Sequence, residues 1–519
     1  MLIYIISLIV IVLMTRSLPR LFCPNAIGSD SYYHLLCARA LKNNRFRLPT
    51  KIHGFCFPSP YDYPPLYHYL LALCPFKSEI FEKWYPAILD TINCLVFYFF
   101  SQRLLLDRQL AFIAALFFCL APAQVAVGTG PRAYQATPRL LGESLFTAAT
   151  CALITGAVEA QWAWIGLGWF LGGLTLLTSK FSTQVIIFFW PIMGIICGKW
   201  WLALSSVFAF AFAIILSGGH YIKVFRGHVG HLNLFFRWTR YKIDNVIRKN
   251  RWIDLKSLPG NLLYGRPDGF RTLFLDNTYL AGLTQNPQLI ILFWLIWHGN
   301  NNFKPGNLLH HPWPVLIFLV AWLAASIIVW LLIGLKPLLP FGEAERYLDH
   351  SVAPLSLLIV LFAHQQDLLV PISAFNMAIF AFAYAGYVSL FIHLHPTESS
   401  PDSELNRVIN FLQNQKMPLC ILVVGGPGYA IAFSSGQQVF YSSGNFATCY
   451  YPYQFYGKIF AELGIPTQYL VDNMSEFGLN AIIVSSQGLA RAKKIGINLQ
   501  FKNMHLRFAT KNYQIYLTK

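Results

Sequence analysis

Charge is scarce in this sequence. Only 12% of its 519 residues are Asp, Glu, Lys or Arg, while 55% are hydrophobic and the mean hydropathy is +0.48. Soluble globular domains carry about 25% charged residues, so a soluble chain is excluded and an integral membrane protein is expected. Alternating strand-length segments separated by turns are also missing, which leaves helices rather than a closed barrel as the spanning elements. The ten cysteines contain no C-x-x-C pair, and Cys94, Cys119, Cys151 and Cys197 lie inside apolar runs. That excludes both a zinc framework and a secreted disulfide scaffold. Cys23, Cys37, Cys56 and Cys74 share one loop and can pair with each other in an oxidising compartment. The opening run MLIYIISLIVIVLM has no basic n-region and no small-residue cleavage site, so it reads as a retained anchor rather than a signal peptide.

What is present is a series of helix-length apolar runs. A span takes about 20 apolar residues, with shorter visible runs extended by tilt or aromatic flanks. Eleven candidates centre near residues 8, 95, 116, 149, 170, 190, 209, 292, 322, 358 and 381. An odd count puts the polar C-terminal part opposite Met1. One face then carries the first loop (16–83), GTGPRAYQATPRLLGES, LTSKFSTQ, the loop 218–285, GEAERYLDH and the C-terminal region, and the other keeps short turns. All but four of the 39 lysines and arginines (Arg103, Arg108, Lys199 and Lys304) lie on the loop-rich face. The positive-inside rule would place that face in the cytoplasm. It applies to loops shorter than about 60 residues, so charge leaves the orientation open. No internal repeat is visible, which favours a one-sided enzyme over the alternative, a lipid or polysaccharide transporter or flippase. Asp90 is the one acid well inside a span, and Asn93 beside it suggests a local polar contact rather than a charged path.

From about Pro401 the composition becomes that of a small soluble α/β unit. SELNRVINFLQNQK places Leu405, Val408, Ile409 and Leu412 on one helical stripe with Ser403 as cap. CILVV, AIIVSS and QVFYSS read as strands, and GGPGYA, lacking both G-x-G-x-x-G and a Walker lysine, as a tight turn. The domain plan is therefore 1–395, a membrane domain with long loops 16–83 and 218–285, followed by 396–519, a soluble α/β domain.

Six segments could carry chemistry. In GSDSYYHLLCARAL, Ser29 or Asp30 can cap a helix whose buried stripe is Tyr32, Leu35, Leu36 and Ala40, with Asp30 and His34 on one face. Asp30 is thus either a cap or a carboxylate available as general base or metal ligand, while His34 by itself reads as a packing or hydrogen-bonding residue. YDYPPLYHYLLAL looks like an interfacial helix started by prolines, with Asp62 and His68 at surface positions. In ATPRLLGES, Arg139 and Glu143 are four apart, either an ion pair that eases insertion or an arginine for phosphate and a second carboxylate. Lys180 and Gln184 occupy a short turn where the lysine snorkels or meets an anionic headgroup. In FGEAERYLDHSVAPL, Arg346 suits bidentate phosphate recognition, or forms a snorkelling interfacial pair with Tyr347. The loop 218–285 sets eleven lysines and arginines against four acids, interleaved with aromatics. Beside a bilayer this fits lipid headgroups or a lipid-phosphate substrate better than nucleic acid.

Together these segments resemble the GT-C class of membrane glycosyltransferases, which includes oligosaccharyltransferase catalytic subunits, protein O-mannosyltransferases and lipid A aminoarabinose transferases. GSDSYYHLLCARAL is similar to the first-loop aspartate motif and YDYPPLYHYLLA to the later Tyr-Pro-Pro segment. ATPRLLGES takes the place of the second acidic motif, and ERYLDHSVAPLSLL resembles the late Arg-Tyr segment near the lipid phosphate. The resemblance implies an inverting transfer from a polyprenyl-phosphate-linked sugar to a glycan, lipid or protein acceptor. It also places the loops and C-terminal domain outside the cytoplasm, at a bacterial or archaeal plasma membrane. It implies Asp30 as base or as the group ordering acceptor and metal, Glu143 as a second acid, and Arg346 as phosphate ligand. His34, Arg139, Lys180 and Tyr347 are implied around the substrate. No W-W-D-x-G segment is present, which argues against asparagine glycosylation. The second loop has no D-x-D or E-x-D pair, so a divalent cation, magnesium or manganese, would rest on Asp30 with few companion carboxylates.

Overall fold

The structure, a computed structural model, describes residues 1–22, 27–57, 61–127, 130–131, 137–239, 256, 258–260, 263–264, 277–299, 308–394, 403–440, 453–462, 464–502 and 504–518. The basic run from Arg240 to Arg251, with Arg266 and Arg271, lies outside the described residues, as do Cys23, Arg132 and the end of the QVFYSS segment. The chain divides into two compact units. The first comprises Met1–Phe22, Lys83–Tyr221 and Ile247–Leu394, and the second Cys23–Glu82, Ile222–Val246 and His395–Lys519. The boundary is therefore drawn differently from the expected 396–519, because the first loop and the start of the second belong with the C-terminal unit.

The first unit is helical, and each of the eleven centres read from the sequence falls inside a helix. Among the described residues, five helices are long and apolar enough to cross a membrane: Leu2–Phe22, Pro138–Val158, Pro312–Ile333, Glu345–Gln365 and Leu369–Gly386. Thr278–Gln285 and Gln288–His298, bent by 72°, make a sixth if they form one broken span. Arg108–Cys119, Trp162–Leu176, Lys180–Ile196 and Trp200–Leu216 are apolar but shorter. The buried Arg16 side chain donates from Nε to Asp90 Oδ2 at 2.7 Å and from Nη2 to the Cys119 carbonyl at 2.7 Å. Asp90 thus takes a charge partner from the first helix, a local contact rather than part of a charged path.

The second unit is built on a five-stranded sheet in the order Gln438–Val439, Cys420–Val424, Ala481–Ser485, Tyr513–Thr518 and Met504–Ala509. The first three strands are parallel and the last two pair antiparallel. Successive side chains on a strand point to opposite faces. Ile421, Val423, Ala481 and Ile483 accordingly enter one core with Tyr33, Leu35, Leu36, Phe55, Tyr61 and Val408. Leu422, Val424, Ile482 and Val484 enter the other with Phe57, Leu234, Phe440 and Tyr456. Both faces are covered, which is why CILVV and AIIV are unbroken apolar runs rather than alternating ones. Ser403 caps the Glu404–Gln413 helix by accepting from the Asn406 amide, as its position suggested. The QVFYSS strand is shorter than expected, covering Gln438–Val439 only among the described residues.

The first loop supplies one of those cores and also touches the sheet edge. Phe55 bridges Val439, with Cys56 N donating to the Val439 carbonyl and Val439 N to the Gly54 carbonyl, both at 3.0 Å. Cys56 is disulfide-bonded to Cys420. This corrects the pairing expected within the loop, where Cys37 and Cys74 are free thiols. The sheet decides the partner, because it brings Cα atoms 364 residues apart in sequence to 5.9 Å, inside the range a disulfide needs.

Candidate active site

In the first unit, several polar side chains from separate segments converge. Glu143 and Thr147 stand one turn apart on the Pro138–Val158 helix, and Asp349 and His350 come from the short 3-10 turn Asp349–Ser351. With Asn93, Phe118, Gln124 and Ala353 they line a cavity of about 10 Å³, room for one water-sized group. Asn93 is only 3% exposed, and its Oδ1 has no hydrogen-bond partner among the described residues. Asn286 Nδ2 reaches Asp349 Oδ1 at 3.4 Å. The His350 ring is held edge-on by Phe146, 4.9 Å between centroids, and by Phe189 at 5.4 Å.

The expected residues of this unit lie around the same helix ends. Arg139 Nε and Glu143 Oε1 are 3.6 Å apart, the i,i+4 pair read from the sequence. Gly142 between them has no room for a side chain: a Cβ there would overlap Ser182 Oγ and come within 2.6 Å of Thr178 Oγ1. That close approach brings the start of the Lys180–Ile196 helix, capped by Ser179, against Arg139 and Glu143. Lys180 is buried in the first turn of this helix rather than on an open turn, which corrects the snorkelling expectation. The Arg139 guanidinium sits 6.0 Å from the Phe181 ring, and Phe181 is 4.7 Å from Tyr347. The Tyr347 hydroxyl donates to Gln184 Oε1 at 2.5 Å and lies 3.0 Å from the Phe341 carbonyl. Arg139 and Tyr347 are thus linked through Phe181, and Tyr347 is held by Gln184. Arg346 is ion-paired with Glu343, and a third of its side chain is exposed. Buried Glu345 accepts from Thr278 Oγ1 at 2.6 Å.

Asp30 and His34 belong to the second unit. The Ser29–Asn43 helix has Gly28 at its N-cap, so Asp30 lies in the first turn, not at the cap. This corrects the capping alternative, and a carboxylate in that turn is favoured by the helix dipole. Tyr32 is half-buried, and Leu35, Leu36 and Ala40 form the buried stripe. His34 is buried, with Nδ1 2.9 Å from His68 Nε2, and the Tyr61 hydroxyl is 2.6 Å from His68 Nδ1. His68 and Asp62 were expected at surface positions. They are 0% and 2% exposed, because His68 lies on the buried side of the Leu66–Leu73 helix with Tyr67, Leu71 and Ala72, and Asp62 packs against Gly227. Asp62 lies against the backbone of the next segment, where a Cβ on Gly227 would overlap its Oδ2. Among the described residues, no three His, Cys, Asp or Glu side chains are placed to hold one metal ion, and no step below runs through one.

Solved structures supply the remaining observation. The crystal structure of ArnT from Cupriavidus metallidurans bound to undecaprenyl phosphate matches 99% of this chain and 97% of its own, with a TM-score of 0.58 and 12% identity. The oligosaccharyltransferase of Archaeoglobus fulgidus in the apo form matches 99% of this chain and 74% of its own, with a TM-score of 0.55 and 12% identity. The same enzyme in complex with Zn and sulfate gives 0.54 at 11% identity, over 98% and 73%. The chain has a GT-C-like fold. No family model and no curated protein matches its sequence. The GT-C-like architecture and the apolar helices make this an integral membrane protein.

Sequence reasoning did not single out Asn93, Gln124, Thr147 or His350 as site residues, and it named Asp349 only among the charges before a span. Each is one ordinary polar residue in or beside an apolar helix, and only the packing of four segments gathers them. Asp62, His68 and Tyr61 were passed over for a related reason: an amphipathic run after two prolines reads as interfacial until a second layer covers it.

Proposed function

We propose that this protein is an inverting glycosyltransferase that moves a sugar from a polyprenyl-phosphate-linked donor to an acceptor on the extracytoplasmic side of the membrane. The observation that carries this reading is the whole-chain likeness to ArnT bound to undecaprenyl phosphate and to an oligosaccharyltransferase. In the proposal all eleven apolar helices cross the bilayer and leave an apolar groove for the polyprenyl chain. Arg346, partly exposed, exchanges Glu343 for the donor phosphate, whose charge grows as the glycosidic bond breaks. Arg139 and Lys180 add positive charge, and Tyr347 is positioned by Gln184. Asp30 takes the proton from the acceptor hydroxyl, and attack on the face opposite the leaving phosphate gives inversion. Glu143 is the second acid, and its cavity supports a role in binding a hydrogen-bond donor. Manganese titration of the purified protein, read by electron paramagnetic resonance, decides whether a divalent ion binds at Asp30.

The Cys56–Cys420 disulfide supports the orientation, since such bonds persist outside the reducing cytoplasm. The direct test is mass spectrometry of lipids and glycans in cells carrying a deletion, complemented by wild type or by Asp30→Asn. We expect a polyprenyl-phosphate sugar to accumulate in the deletion, to clear with wild type and to remain with the variant. Unchanged lipid-linked sugars in the deletion would overturn the class, and full complementation by Asp30→Asn would overturn the base.

A further inference from the structure

Three consecutive apolar helices of the first unit are shorter than a bilayer is thick. Trp162–Leu176, Lys180–Ile196 and Trp200–Leu216 have 15, 17 and 17 residues. At about 1.5 Å per residue they measure about 23, 26 and 26 Å, against a hydrocarbon core of about 30 Å. Leu2–Phe22 and Pro312–Ile333, with 21 and 22 residues, reach about 32 and 33 Å. Turns of three residues join the short helices, Leu177–Ser179 and Cys197–Lys199, so no apolar extension continues them.

Two observations stop the group from making up the difference. First, the helices are packed on one another at small residues. A Cβ on Gly172 would lie 2.5 Å from the Trp190 ring, one on Gly173 2.6 Å from Phe212 Cβ, and one on Gly194 2.6 Å from the Ala203 amide nitrogen. Trp169 Nε1 donates to Ser205 Oγ and Ser206 Oγ to the Ile186 carbonyl, both at 2.9 Å. The helices therefore tilt together, and tilting only shortens their reach across a membrane. Second, one end of the group is anchored. Trp162 and Trp200, 71% and 73% exposed, open their helices. Trp297 and Trp313, 86% and 63% exposed, stand at the ends of Gln288–His298 and Pro312–Ile333. In the order of eleven spans all four fall on the face of the short turns, and tryptophan favours the headgroup level. They mark one interface, so the missing length falls at the opposite end. That end is polar, with Thr178, Ser179 and Lys180 followed by Ser182, Thr183 and Gln184. The flank of the group is apolar, with Val207, Phe208 and Ile215 exposed, as a surface covered by lipid chains requires.

We propose that this three-helix group thins the bilayer beside it by about 5 Å, in the leaflet of the loop-rich face. Its partner is the lipid itself, held in a membrane thinner than the one around the longer helices. The turn at the shortened end meets Gly142, between Arg139 and Glu143. Headgroups drawn inward there bring a lipid phosphate toward the basic residues assigned to the donor. The inference rests on the reading above in which all eleven apolar helices cross the bilayer.

The test is cryo-electron microscopy of the full-length protein in dioleoylphosphatidylcholine nanodiscs, with the separation of the two headgroup layers measured around the protein. We expect that separation to be about 5 Å smaller beside Trp162–Leu216 than beside Leu2–Phe22 and Leu369–Gly386, with the loss in the loop-rich leaflet. An even separation with the three helices inside the bilayer would overturn the proposal. So would a second copy of the chain seated on this flank, which would cover the short helices without thinning. Finding the three helices outside the bilayer would overturn the eleven-span reading together with the proposal. Loss of the transferase reading alone leaves the thinning in place, so the failures are distinguishable.

Discussion

Arg16 and Asp90 show what a charge requires inside the first unit. Both side chains are almost fully shut off from solvent, and each compensates the other at 2.7 Å. Removing one partner of a buried pair leaves an uncompensated charge and costs about 3–5 kcal/mol, whereas replacing both by apolar groups is often neutral. Arg16→Ala is therefore expected to lower the thermal unfolding temperature of the detergent-solubilised protein sharply, with Arg16→Leu/Asp90→Leu recovering most of it. Equal melting of the single and double variants would contradict the pairing. The same geometry weakens the transporter alternative, since the acid closest to a charged path is bound to an arginine of the first helix. His34 makes a prediction of a different sign. The unfolded chain protonates this residue near pH 6.5 and the folded one near 3, so the unfolded state binds more protons between those values. Stability is then present above about pH 6.5 and falls as pH is lowered through that window, by about 2 kcal/mol at pH 5 for His34 alone. Melting curves at pH 7.5 and 5.0 should show the loss, reduced in His34→Gln. An undiminished loss in that variant would rule out His34 as its source.

At the level of elements, two contacts hold the arrangement. Gly142 lets the Pro138–Val158 helix approach the Thr178–Ser182 turn without a side chain between them. The second is the disulfide that ties the first loop to the Cys420–Val424 strand, next to the edge of the C-terminal sheet. A cross-link closing so long a loop stabilises by about 2–4 kcal/mol, chiefly by restricting the unfolded chain. Cys56→Ser and Cys420→Ser should each destabilise the second unit by that amount in a denaturant melt, and the double variant by no more than either single. Additive losses would show that the two cysteines act independently. The helices themselves were readable because apolar residues run for helix length, and the strands because CILVV and AIIV are short and flanked by turns. Their lengths were read less well. Among the described residues QVFYSS pairs over two positions only, and the rest of that segment lies outside them.

For the whole molecule, the proposed reading puts the C-terminal unit outside the cytoplasm, and the disulfide supports it. Alkaline phosphatase fused after Lys519 in a bacterial host should be active and a green fluorescent protein fusion dark, and the reverse would reject the orientation.

Composition and periodicity alone determined that this chain is a helical membrane protein with an α/β region at the end. Those features depend on local runs, and a run is visible wherever its residues are consecutive. Tertiary structure decided what depends on distant residues meeting: Cys56 with Cys420, Asp90 with Arg16, His34 with His68, and Glu143 with Asp349 and His350 around one cavity. It also decided that Asp30 is not a cap, because the helix starts two residues earlier than a cap at Asp30 would place it. Each of these contacts joins residues whose spacing carries no periodic signal, so only the packing of the chain could select them.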